Sequence, residues 1–326
     1  MDSVYLGVDV GGTNILAAVV DDAGTVLGSG KGDVMVGEGV EEVANQMVAL
    51  SEKAMRKSGV DWASISALGI AVPSAIDPES GLLLHAPNLG WQNVQAREII
   101  EQRFGRAVVL ENDVNCGVWG EYAAGAGRGF SNVAGFFVGT GLGGGLILNG
   151  GLHLGTHGMA AEFGHEVVRY KGRKCGCGKR GCLEAYCSKT AFCRQFEKHI
   201  NRKGKKSVLS REMKSFDRIK SSTLKKAYDS GDAVTRKVVH KGMKMLGVAS
   251  ANLVAAVGPQ CIVYGGGVME SMGEELLPII VGSAHEHLFG LQPEDVELRL
   301  SALGDDSVPV GAALLARDRR KAEDHE

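Results

Sequence analysis

Three cysteines fall within eight positions, Cys175-x-Cys177-x4-Cys182, shortly after a histidine, His165. Three thiolates and one imidazole complete a tetrahedral zinc shell of the structural type, which leaves no open position for a substrate. Four glycines between 172 and 181 let the loop fold tightly around an ion. Unrelated free cysteines are the alternative, but Cys-Gly-Cys-Gly-x-x-Gly-Cys then has no evident purpose. Closing the loop through His165 brings Glu162 and Glu184 to one locus, where both can accept hydrogen bonds from the hydroxyls of a ligand.

A second chemistry is written in glycine. Asp9-x-Gly11-Gly12-Thr13-Asn14 sets a carboxylate at a strand end before a turn whose backbone N–H groups can approach phosphate oxygens. Thr13 and Asn14 add side-chain donors, and Asp9 can hold Mg²⁺ through water. An ordinary hairpin turn would need only one glycine. Gly139-Thr140-Gly141-Leu142-Gly143-Gly144-Gly145 has five glycines in seven positions, a density that costs chain entropy on folding. It suits the other end of a triphosphate. Gly265-Gly266-Gly267 offers bare backbone to a flat base or ribose. These turns contain neither the dinucleotide Gly-x-Gly-x-x-Gly before a helix nor the Walker motif.

Glu111-Asn112-Asp113 lies between a strand and a helix. Phosphoryl transfer to an alcohol needs a carboxylate to take the hydroxyl proton, and Asp113 suits that role, with Asn112 able to bond neighbouring hydroxyls. Asp113 as a plain N-cap of the following helix is the equal alternative.

These residues need a scaffold. Two apolar, β-branched runs around Gly11–Asn14 predict a hairpin over 4–20, and Asp21-Asp22-Ala23-Gly24 predicts a turn to a third strand. Val40, Val43, Met47, Leu50 and Ala54 predict a helix over 40–57, with acids first and Lys/Arg last. A strand at 65–72, a helix at 94–104 and a strand at 107–110 complete a small α/β lobe over 1–120. The device of strand, glycine turn and strand restarts at 133–148, a weak internal duplication. It opens a large α/β lobe over 121–309 that carries the zinc loop, with helices near 182–200 and 233–257 and a strand at 261–264. An apolar helix at 309–316 precedes a charged tail, and the C-terminal helix, about 310–326, is expected to pack back on the small lobe.

Composition agrees. The chain has 326 residues with 47 Gly, 7 Pro and 44% hydrophobic residues, which excludes both collagen and a flexible linker. A net charge of −2 gives no general reason to expect nucleic acid or an anionic membrane as partner. No apolar run approaches the ~18 residues of a membrane span and no signal peptide is visible. The cysteine spacing suits metal ligation in a reducing compartment, so a cytoplasmic location is expected. Residues 194–226 hold 12 Lys/Arg against 3 Asp/Glu and read as a solvated helical excursion, without aromatics placed for base stacking.

The order of the glycine turns resembles the phosphate-1, phosphate-2 and adenosine segments of the actin, sugar-kinase and heat-shock ATPase fold. With Glu111–Asp113, Glu162–His165 and Cys175–Glu184, the chain resembles the ROK-family sugar kinases, bacterial glucokinases among them, over nearly its whole length. The resemblance implies an α/β, two-lobed actin-like ATPase (ribonuclease H-like) fold, with nucleotide and sugar in the cleft between lobes. It implies ATP-dependent phosphorylation of a hexose 6-hydroxyl, glucose first, with Mg²⁺ and a structural Zn²⁺. Asp113 then matches the general base, and Asn88, Asn112, Glu162, His165 and Glu184 match sugar contacts. His165, Cys175, Cys177 and Cys182 match the zinc ligands, and a homodimer is implied by the resemblance alone. One departure bears on the choice of hexose: Ser74 stands where the family commonly has Gly in its Gly-x-Pro loop. The competing readings are a kinase for N-acetylmannosamine, fructose or another hexose, a non-sugar ATPase, and a sugar-responsive repressor. The repressor needs a helix-turn-helix domain ahead of Asp9, for which this sequence has no room.

Overall fold

The structure is a computed structural model that describes residues 3–35, 37–77, 80–86 and 89–324. In chain order its elements begin β1 (Val4–Val10), β2 (Asn14–Asp21), β3 (Val26–Asp33), α1 (Val40–Ser58), β4 (Ile65–Val72), β5 (Ala75–Ile76), β6 (Leu83–Ala86), β7 (Trp91–Val94), α2 (Ala96–Phe104), β8 (Val109–Asn112) and α3 (Asp113–Ala124). They continue with β9 (Val133–Val138), β10 (Leu142–Leu148), β11 (Gly151–Leu152), α4 (Lys189–Glu197), α5 (Leu209–Glu212), α6 (Ser221–Asp229), α7 (Ala233–Val257), β12 (Cys261–Gly265), α8 (Gly267–His285), β13 (Glu297–Leu300) and α9 (Ser307–Glu323). The chain divides into two compact units, one of Met1–Gly129, Gly145–Ala161 and Asp306–Glu326, the other of Phe130–Gly144 and Glu162–Asp305.

The first unit is built on a sheet of order β3-β2-β1-β4-β8. β1, β2 and β3 form an antiparallel meander, whereas β1, β4 and β8 run parallel. Leu6, Val8 and Val10 share one face of β1 and are fully buried there. Gly7 and Gly69 are paired across β1 and β4, and a Cβ on either would meet the α9 backbone, at Pro309 and Ala312. Two missing side chains thus let that helix lie directly on the sheet. α9 is longer than the apolar stretch 309–316, because residues read as a charged tail have partners on this unit. Arg319 pairs with Glu111 at 2.8 Å, Arg317 donates to the Asp22 carbonyl at 2.6 Å, and Arg320 bonds the Ser66 carbonyl.

The second sheet has the order β11-β10-β9-β12-β13, with β9, β12 and β13 parallel. The helix expected near 182–200 is broken into a 3-10 turn at Leu183–Ala185 and then α4, which starts where Ser188 Oγ accepts the Ala191 amide at 3.0 Å. The basic stretch 194–226 runs through the end of α4, α5 and α6. Among the described residues no helix is long and apolar enough to cross a membrane.

Candidate active site

In the first unit the parallel register sets Asp9, Ala71 and Glu111 level on neighbouring strands, so the turn after Asp9 and the helix start after Asn112 emerge at the same sheet edge. Ligands of open α/β sheets bind at such carboxyl ends. The Gly11 amide donates to the Asn14 carbonyl at 2.9 Å and the Thr13 carbonyl accepts from Val34 at 2.8 Å. The Gly12 and Thr13 amides have no protein acceptor among the described residues, and Thr13 is exposed. Two adjacent open donors are what a phosphate oxygen needs.

The strand before Asp113 ends at Asn112, two residues later than 107–110 predicts, because parallel pairing with β4 carries it to Asn112 opposite Val72. Asn112 therefore takes the N-cap, and the capping alternative for Asp113 gives way. Asn112 Oδ1 accepts the Val114 and Asn115 amides at 2.9 and 3.1 Å. Its Nδ2 donates to Asp113 Oδ1 at 3.0 Å and to the Ser74 carbonyl at 3.3 Å. Asp113 Oδ1 also accepts the Val114 amide at 2.9 Å. Glu111 is a structural carboxylate, buried and satisfied by Arg319, the Asn112 amide and Asn115 Nδ2. Ser74 Oγ lies 2.8 and 2.9 Å from the carbonyls of Ala75 and His85, so the residue that departs from the family pattern braces β5 against β6. Asn88 lies outside the described residues.

In the second unit Gly265 is level with Phe137, which sets Gly139–Gly145 and Gly265–Gly267 side by side at the carboxyl ends of β9 and β12. Gly266 has φ +81° and a Cβ there would come within 2.8 Å of the Val138 amide. Two residues unremarkable in the sequence hold the first turn: Lys189 donates its amide to the Gly139 carbonyl at 3.0 Å, and Thr190 Oγ1 donates to the Thr140 carbonyl at 2.8 Å. The Thr140 and Gly141 amides have no protein acceptor among the described residues. Leu142 donates its amide to Glu184 Oε2 at 3.1 Å, and a Cβ on Gly141 would lie 2.5 Å from that oxygen. Gly143 lies in β10 beyond this bond.

His165, Cys175, Cys177 and Cys182 gather, with all four ligand atoms within 4.8 Å of one another. Cys177 and Cys182 sulfurs are 3.7 Å apart, and Cys175 Sγ is 3.8 Å from His165 Nδ1. The sulfur spacing is far beyond a disulfide bond and matches the edge of a tetrahedron with Zn–S bonds of about 2.3 Å, roughly 3.8 Å. Burial pushes the Cys175 thiol up to about 12, while the Lys179 amide holds Cys177 below the usual thiol range. A bound cation reverses that burial penalty and takes all three as thiolates. Cys116, Cys187, Cys193 and Cys261 are buried apart from this cluster. Glu184 Oε1 lies 3.4 Å from Cys175 Sγ, so one carboxylate joins the metal cluster to the glycine turn. Glu162 is exposed and its carbonyl accepts the His165 amide at 2.9 Å; Gly164 between them fits only because a side chain would strike the Leu142 carbonyl.

The two sheets with their strand-end turns match the two-lobed actin-like ATPase fold of solved sugar kinases. The chain belongs to the ROK family, whose sequence signature matches residues 5–319. A glucokinase of Halalkalibacterium halodurans is 30% identical over 322 residues, 98% of this chain and 97% of that protein. A xylose repressor of Caldicellulosiruptor bescii is 30% identical over 306 residues, 94% of this chain and 76% of the repressor. The crystal structure of a ROK family glucokinase from Streptomyces griseus, in complex with glucose and AMPPNP, matches with a TM-score of 0.82 at 34% identity, covering 97% of this chain and 100% of that one.

Proposed function

We propose that this ROK-family chain is an ATP-dependent sugar kinase that phosphorylates the 6-hydroxyl of glucose. The observation that carries the reading is Asp113, held by Asn112 at the same sheet edge as the open Gly12 and Thr13 amides. Asp113 takes the hydroxyl proton as the sugar oxygen attacks the γ-phosphorus, and the bond from that phosphorus to the ADP oxygen breaks. The amides of Gly12, Thr13, Thr140 and Gly141 offset charge on the phosphates, and the bare backbone of Gly265–Gly267 takes the base or ribose. Mg²⁺, held through water by Asp9, supplies further neutralisation of phosphate charge when bound. His165, Cys175, Cys177 and Cys182 hold a structural zinc, whose function is to fix the loop carrying Glu184.

Glu162, His165, Glu184, Asn112 and Asn88 form the sugar contacts in this reading. Glucose is favoured by the likeness to glucokinases at 30–34% identity. A cytoplasmic homodimer completes the proposal, and light scattering checks its mass. The deciding experiment is ³¹P NMR of the product formed from ATP, Mg²⁺ and glucose. Phosphate on the 6-oxygen is expected. Phosphate on another oxygen overturns the regiochemistry, and no sugar phosphate at all favours the sugar-binding, non-catalytic reading that the repressor relative suggests.

A further inference from the structure

Between the zinc loop and α4 lies a cavity of about 570 Å³. Arg173, Lys174, Cys175 and Gly176 form one wall, Arg194 and Gln195 belong to the other, and no acidic residue lines it. Of its cations Arg173 is packed in place, whereas Lys174 and Arg194 are exposed. Arg173 is half-buried, with Nη1 donating to the Ala185 carbonyl at 3.2 Å and its guanidinium 4.6 Å over the Tyr186 ring. Arg194 Nη1 donates to the Lys174 carbonyl at 3.3 Å, which ties the two walls together.

Among the described residues no ion pair is made by Arg173, Lys174 or Arg194. Glu197, further along α4, is taken by Arg202 at 3.3 Å. Glu184 turns its oxygens to the Leu142 amide and Cys175 Sγ. The surroundings add charge of the same sign: Lys241 on α7 is held below the usual lysine range by burial and then by Arg173, Arg169, Lys237 and Lys198. Two segments distant in sequence, the zinc loop and α4, thus line one recess with cations, and such a field concentrates anions.

We propose that this cavity binds a phosphoryl dianion, either inorganic phosphate or the phosphate group of a small metabolite, at a site separate from the glycine turns. Guanidinium forks match phosphate oxygens in pairs and a lysine adds a point charge, which favours phosphate over a monovalent anion. The volume falls within the ~300–1,000 Å³ of small-molecule sites and exceeds what bare phosphate fills, so an esterified phosphate also fits. The bound anion bridges the loop that carries Cys175 to the helix whose first residues hold Gly139 and Thr140.

Isothermal titration of the zinc-loaded full chain, with saturating glucose and a non-hydrolysable ATP analogue present, tests the site with inorganic phosphate in one arm and a hexose 6-phosphate in the other. Binding in at least one arm is expected, weakened about tenfold by Lys174→Ala and by Arg194→Ala. Lys174→Ala keeps the carbonyl that Arg194 uses, so it decides the question if the arginine variant loosens the fold. No binding in either arm, or unchanged affinity in Lys174→Ala with an unaltered circular dichroism spectrum, overturns the site. Because the readout is binding rather than turnover, its failure leaves the kinase reading standing, and a chain inactive on sugars could still show it.

Discussion

Asn112 donates its side-chain amide to Asp113 Oδ1 at 3.0 Å while its own Oδ1 caps the helix that Asp113 opens. The cap and the aspartate are therefore separate residues, and Asp113 is left oriented for chemistry. Asn112→Asp keeps the capping oxygen but turns its other oxygen on Asp113 Oδ1 and the Ser74 carbonyl, so a loss of about 1–2 kcal/mol of unfolding free energy is expected at pH 7. It also places a like charge against Asp113, which should move the acid limb of the kcat–pH profile upward by about one unit. An unshifted limb would show that Asn112 does no more than cap.

The metal cluster predicts composition as well as stability. Purified protein should contain about one zinc per chain, and its removal by a chelator should cost ~3 kcal/mol of unfolding free energy, the order expected for a ligand held well above its Kd. Metal-free protein with unchanged melting and full activity would remove zinc from the account.

Arg319→Ala tests the anchoring of α9. Glu111 has 8% side-chain exposure, and losing Arg319 leaves its charge with hydrogen bonds only. A loss of about 2 kcal/mol in urea unfolding is expected, below the cost for a fully buried pair because Arg319 itself is 36% exposed. Double substitution with Glu111→Gln should recover part of it.

Features encoded within one short stretch of chain are legible in the sequence, and contacts made between distant stretches are not. The cysteine cluster was legible because its thiols lie within one short loop and their spacing reports their geometry. The hairpin around Gly11–Asn14 was legible for the same reason. Thr190 was not, since its hydroxyl meets Thr140 from 50 residues away and nothing in Ser-Lys-Thr announces that contact. The last turns of α9 looked like a tail because Asp22, Ser66 and Glu111, their partners, are more than 200 residues earlier. The strand predicted over 107–110 runs on to Asn112 because its end is set by pairing with β4, which local propensity does not encode.

Glu270, in the first turn of α8, carries a pH dependence. Burial, with the neighbouring Asp305 carboxyl adding to it, pushes its carboxyl up to about 7 from 4.5. The folded state then binds the proton more tightly than the unfolded state, so stability falls as pH rises from 4.5 to 7. Glu270→Gln should be more stable than the parent at pH 8 by about 1 kcal/mol, a partly exposed carboxyl giving less than its full shift. The difference should vanish near pH 4.5 in urea unfolding at the two pH values. Lower stability of the variant at pH 8 would contradict the assignment.

Transfer of phosphate from ATP to a hexose, with Asp113 as base, is open to direct test. Its most direct measurement is ADP release with ATP and Mg²⁺ across a panel of glucose, fructose, mannose, N-acetylmannosamine and N-acetylgalactosamine, for the parent and Asp113→Asn. The highest kcat/KM is expected with glucose, and in the variant a kcat lower by at least ~10² with glucose binding retained. Failure of every sugar in the panel to stimulate ADP release, or near-parent turnover in Asp113→Asn, would contradict it.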